Sequence, residues 1–170
     1  MARPGRNASS ENILSPRRFF FATTKTSMGR RLFQTERNAG LLIDVMRSLV
    51  AEHKFRLHDF VVMPDHVHLL FDVDGDMTVE KAMQLVKGRF SYRLAHEFDF
   101  KGEVWQRGFS EVQVMDKAGM EKCREYIANN PMKAGLVESA DDYPFSYRYL
   151  AMRKSGAVGN DEGVQGLKPI

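Results

Sequence analysis

His66 and His68 flank Val67 in the run HVHLLFDV. On a strand, alternate side chains leave the same face. Both imidazoles then project to one side while Val67, Leu69 and Phe71 project to the other. Two imidazoles that converge without backbone strain can share one divalent ion. A neighbouring carboxylate, Asp65 or Asp72, could orient a ring from behind. A second group lies in EKCREYIANNPMKAGLV, residues 121–137. On a helix, Met120, Cys123 and Ile127 make an apolar strip, with Tyr126 beside it. Asn130 falls one turn after Tyr126 on the same side, so its carbonyl oxygen could sit near whatever Tyr126 reaches. By spacing alone each residue also has a plainer role. The histidines read equally as half-buried strand residues, Tyr126 as an aromatic with its hydroxyl in water, and Asn130 as helix termination before Pro131.

These residues need elements to hold them. Residues 17–26 (RRFFFATTKT) are aromatic and β-branched and predict a strand. Residues 27–31 read as a turn carrying two arginines. Residues 34–53 place Leu41, Leu42, Val45, Met46 and Leu49 at helical spacing. Residues 56–63 and 66–73 predict a strand pair turned at Pro64-Asp65. Thr78 caps a helix over 79–97. Residues 104–115 predict a fourth strand kinked at Gly108. A third helix over 116–130 stops at Pro131. Residues 143–152 read as a short helix or covering arm. The order β-α-β-β-α-β-α predicts an α+β, ferredoxin-like (RRM-like) antiparallel sheet with two crossover helices and one additional helix. That third helix is the expected cover for the sheet's second face. Residues 1–15 read as a flexible basic arm, 16–152 as one domain, and the glycine-containing stretch 153–170 as a disordered tail.

The bulk composition sets limits. A chain of 170 residues with 43% hydrophobic content builds one packed domain. A net charge of +3 is a mild lean toward polyanions. One cysteine, Cys123, excludes a disulfide framework within the chain and fits a reducing cytoplasm. No apolar run of about 18 residues predicts a membrane span.

Taken together, the segments resemble the HUH nucleases, whose motif is a pair of histidines around a bulky hydrophobic residue. The run VVMPDHVHLL resembles the signature of the single-tyrosine transposases, in particular the REP-associated tyrosine transposase branch. YIANNPMKAGLV resembles their nucleophile helix and the turn after it, VWQRGF the strand between the two motifs, and DYPFSYRYL the segment that closes the domain. The likeness spans residues 15–150. It implies that Tyr126 is the catalytic nucleophile on the additional helix, and that His66 and His68 hold a divalent metal, Mg2+ or Mn2+. Asn130 matches the polar residue that completes the metal site, although some branches carry glutamine there. The substrate implied is single-stranded or hairpin DNA, such as a repetitive extragenic palindrome, and the protein is then a cytoplasmic, bacterial DNA strand-transferase, monomer or homodimer. A free phenol ionises near pH 10 and attacks phosphate poorly, so a cation at the phosphate and a covalent 5′-phosphotyrosine link are the expected chemistry.

Basic residues would track DNA phosphates and aromatics would stack on unpaired bases. Arg17, Arg18, Arg30, Arg31, Lys87, Arg89, Arg93, Arg107 and Lys133 are the candidates, with Trp105 read as core or rim. Two other functions compete: a non-catalytic module of the same fold that binds single-stranded nucleic acid, and a metal hydrolase that uses water in place of Tyr126.

Overall fold

The computed structural model describes residues 16–156. The expected arm at 1–15 and the tail beyond 156 lie outside the described residues. Four strands, β1 (Arg18–Lys25), β2 (Arg56–Met63), β3 (His66–Val73) and β4 (Ser110–Val114), form one antiparallel sheet in the order β2-β3-β1-β4. The helices are α1 (Glu36–Ala51), α2 (Val79–Phe98), α3 (Lys117–Lys133) and α4 (Tyr147–Lys154). This is the ferredoxin-like arrangement expected from the element order. Each long helix begins on a side-chain cap: Thr35, Thr78 and Asp116 accept from the backbone N–H three residues on.

Strand alternation divides the sheet into two layers. Ala22, Val67, Leu69 and Phe71 point toward α1 and α2 and merge with Leu42, Met46, Val86 and Phe90 into the main core. Val61, Met63 and Leu70 point the other way and pack with Ile127 of α3 and Tyr143. The third helix therefore covers the second face, as expected. The chain after α3 then closes the edge of β2. Val62 N–H donates to Phe145 O at 2.8 Å, and the Tyr143 hydroxyl donates to Val62 O at 2.6 Å.

Several element ends shift by a residue or two from those expected, and three of the differences change how the chain runs. Residues 104–109 are not strand: Trp105 makes one bridge to Thr26, Gly108 turns the chain at φ 78°, and β4 begins at Ser110. Pro131 does not stop α3. It sits inside the last turns and is buried, while the helix runs two residues further to Lys133 and closes on a left-handed Gly135 (φ 72°). There Leu136 N–H donates to Pro131 O at 2.9 Å and Gly135 N–H to Met132 O at 3.0 Å, satisfying carbonyls the end would leave open. The extension beyond Asn130 keeps Lys133 in helical register with Tyr126. Finally, α4 carries Arg153 and Lys154, two positions expected in the tail.

The second layer also holds a charge. Asp59 is 8% exposed, and burial pushes its carboxyl up to about 6. The folded state thus binds this proton more tightly than the unfolded chain, whose ordinary value is 3.8. Ionised Asp59 costs stability above the folded value, and the cost fades as the pH falls toward 4. We expect Asp59→Asn to raise unfolding stability at pH 7.5 by about 1–3 kcal/mol and to leave it unchanged near pH 4, measured by urea titration at both pH values.

Candidate active site at the histidine–tyrosine cleft

The second face carries the site. Antiparallel register puts Thr23 opposite His68 and Lys25 opposite His66, so four side chains from two strands leave the sheet together. Phe21 lies flat beside His68, with ring centroids 5.5 Å apart and planes 14° off parallel. The two imidazoles are edge to face at 4.8 Å. From α3, the Tyr126 ring meets His68 edge-on at 5.2 Å and Phe21 at 5.7 Å. Asn130 brings its amide nitrogen to 3.2 Å from His68 Nε2, across 62 residues of sequence. The structure thus unites Tyr126, His66, His68 and Asn130 in one cleft of about 720 Å³, which Lys25, Gln106, Ser110 and Lys133 also line.

The hydrogen bonds fix the state of the rings. His68 Nδ1 lies 2.7 Å from Thr23 Oγ1, and His66 Nδ1 lies 2.6 Å from Asp65 Oδ1. Both Nδ1 positions are taken from behind, which leaves Nε2 of each ring for the cleft. His68 is 4% exposed. Burial, with the electrostatic influence of neighbouring His66 and Lys25, pulls it down to about 3, so the ring stays neutral at physiological pH and keeps a lone pair. The tautomer that serves both contacts has Nδ1–H donating to Thr23 and Nε2 accepting from Asn130. Tyr126 is 46% exposed, open to a substrate in the cleft.

This donor set fits a divalent cation. Two imidazole Nε2 atoms facing one cleft are good ligands, and a half-turn of the Asn130 amide presents its oxygen where its NH2 now lies. Among the described residues no cluster of three His, Cys, Asp or Glu groups could hold a metal, and the Asn130 amide is the polar side chain that meets His68 in the cleft. Thr23 is a positioning residue that composition could not single out. Its signal is cross-strand register, which needs the paired sheet. We expect Thr23→Val to weaken Mn2+ binding about 10–100-fold, measured by calorimetric titration, with the fold retained because the shape is conserved.

The candidate cations separate by location. Lys133 lies on the Tyr126 face of α3, its Nζ 5.9 Å from the phenol ring centroid. Arg107 borders an adjoining cleft with Thr23, Lys25 and Gln106. Arg30 and Arg31 follow Gly29, which lines the site, but the Arg30 guanidinium is held by Glu103 O and Ser27 O. Arg31 and Arg17 are exposed. Arg18 is tied to Gly75 O and Met77 O at the far end of the sheet. Lys87 donates to Gln106 O and Gly108 O. Arg89 and Arg93 do not join the site. They lie on α2, behind the opposite sheet face, where Arg89 pairs with Glu52 and Arg93 with Asp44 and Glu97. Asp44 lies on α1, Glu52 directly follows that helix and Glu97 is one turn on along α2, so both guanidinium groups are already paired with carboxylates. Trp105 is core, packed on Phe33 and Phe90, with its indole N–H donating to Lys87 O. No helix among the described residues is long and apolar enough to cross a membrane.

Comparison with known proteins places this arrangement. Residues 22–130 match the family described as Transposase IS200 like. A relative in Haemophilus influenzae is 30% identical over 95 residues, covering 50% of this chain and 54% of its own. The REP-associated tyrosine transposase of Escherichia coli is 28% identical over 96 residues, covering 56% of this chain and 55% of the relative. The chain therefore spans about half the length of the curated relatives it matches. Among solved structures, a REP-associated tyrosine transposase bound to a REP hairpin aligns with TM-score 0.62 at 23% identity, over 99% of this chain and 89% of that one. That likeness establishes the shared fold.

Proposed function

The chain belongs to the IS200-like transposase family, and from that premise we propose that it cuts and rejoins single-stranded DNA at or near hairpins, with Tyr126 as nucleophile. One observation carries the reading: a half-exposed phenol stands edge-on to a buried neutral imidazole whose partner histidine and Asn130 share the same cleft.

In the proposed reaction the Tyr126 oxygen attacks the scissile phosphorus. A new O–P bond forms, the bond to the 3′ oxygen breaks, and the phenol proton is released while the 3′ oxygen gains one. The products are a 5′-phosphotyrosine and a free 3′ hydroxyl. The ester keeps the energy of the phosphodiester, so a second 3′ hydroxyl can reverse the step on another strand. A divalent metal, Mg2+ or Mn2+, held by His66, His68 and Asn130 would supply charge stabilisation at the phosphate. Thr23 and Asp65 hold the two rings in orientation. Lys25 and Lys133 supply positive charge for the strand entering the cleft. The likeness in fold to one relative solved with a REP hairpin supports hairpin DNA as the partner.

The test is a suicide-cleavage assay. Protein and Mn2+ are incubated with hairpin oligonucleotides labelled at the 3′ end, and a denaturing gel is read for labelled protein. A covalent band supports the reading. Free cleaved DNA with no protein-linked label over a panel of hairpins would point instead to hydrolysis by water.

A further inference from the structure

Behind α3, away from the cleft, lies a second cavity of about 440 Å³. Arg124, Ile127, Ala128 and Pro131 face it from α3, and Tyr147, Arg148, Ala151 and Met152 from α4. At helical spacing these α3 residues are on the side opposite Tyr126, Asn130 and Lys133. The cavity also exposes Asp59, the buried carboxylate of the second layer. One of its oxygens accepts from Phe60 N–H at 2.9 Å. The other has its nearest cation, Arg124 Nη1, at 3.9 Å, beyond hydrogen-bond range. Arg124 donates instead to His58 O, and Arg148 to Asp141. A buried carboxylate with open acceptor sites is thus set between two guanidinium groups over an apolar floor.

We propose that this cavity binds an unpaired guanine base. Guanine is the DNA base whose Watson–Crick edge carries two adjacent N–H donors, N1–H and N2–H, a match for one carboxylate. Adenine and cytosine pair one amino donor with a ring-nitrogen acceptor, and thymine flanks one N–H with carbonyl oxygens, so each sets an acceptor against Asp59. The O6 and N7 acceptors of guanine would face the arginines. Ile127, Pro131 and Met152 offer apolar surface to the ring faces. The volume is in the range of small-ligand sites. The stability cost of ionised Asp59 is offset when donors reach it. Because α3 separates cavity from cleft, a base seated here also braces the helix that carries Tyr126. This inference rests on the reading that the chain engages single-stranded DNA.

Binding is measured by fluorescence anisotropy in EDTA, so that no cutting occurs. The probes are labelled oligothymidylates carrying one central guanine, hypoxanthine or adenine. Wild type is expected to bind the guanine strand about tenfold more tightly than the others. Hypoxanthine lacks the 2-amino group and reports on the second donor. Asp59→Asn should erase the preference while melting at or above the wild-type temperature, so unfolding does not explain the loss. Competition by guanosine monophosphate that disappears in Asp59→Asn would show that the free nucleotide suffices; preference without such competition would assign the ligand to the strand. A flat wild-type base series, or an undiminished preference in the folded variant, overturns the proposal. A flat series beside a Tyr126 adduct sinks only this site, and a guanine preference without an adduct sinks only the nuclease reading.

Discussion

Tyr126→Phe is expected to remove the covalent protein–DNA adduct and to lower strand cleavage by about a thousandfold or more, the scale seen when a covalent nucleophile is deleted. The substitution deletes one oxygen and keeps the ring. The edge contacts of that ring with His68 and Phe21 remain. The side chain is 46% exposed, and unfolding stability should stay within about 0.5 kcal/mol of wild type. Hairpin binding measured in EDTA should change by no more than about twofold, which separates lost chemistry from lost recognition. If the variant still cleaves DNA at the wild-type rate, Tyr126 is not the nucleophile and water is the better candidate. If neither protein cleaves while both bind, the chain is a binding module of this fold.

Replacing His68 with alanine should be nearly as severe, for a different reason. The buried ring sits between Thr23, Asn130 and the face of Phe21, and it offers Nε2 to the cleft. Its loss removes one of the two imidazoles that would hold the divalent ion, and adduct formation should fall by at least about a hundredfold. His66→Ala should give a similar loss. The double variant should be little worse than either single one, because the pair acts as a unit. The two singles should differ in stability. His68 is 4% exposed, so its truncation leaves a cavity costing about 1–3 kcal/mol, whereas the more exposed His66 should cost less. Single-turnover rates over a Mn2+ series, alongside urea melts, check both statements. Full activity in either single variant at low Mn2+ would remove that ring from the metal site.

How far a sequence reaches is visible in the same residues. The period of two along HVHLLFDV is a property of extended backbone, so it placed both imidazoles on one face and Val67, Leu69 and Phe71 on the other before any fold was known. The 3.6-residue repeat did the same for Tyr126 beside the strip containing Ile127, and for Asn130 one turn on. Element order then implied the sheet and the need to cover its second face. Local spacing could not say that Thr23 would stand behind His68, or that Asp65 would take His66 while Asp72 pairs with His58. Those partners meet through strand register, which depends on many residues pairing at once. Nor did the local rule for proline survive at Pro131, where burial of the ring and a left-handed Gly135 outweighed one missing N–H. Arg89 and Arg93 looked like phosphate ligands as isolated charges; packing α2 against α1 brought carboxylates to them. Asp59 shows the same division, since only the stacking of α3 and α4 on the sheet turned a strand aspartate into a desolvated carboxylate lining a cavity. Backbone geometry repeats over a few residues and can be read along the chain. Contacts between distant elements arise when both sheet faces are buried together, and that is decided by the fold as a whole.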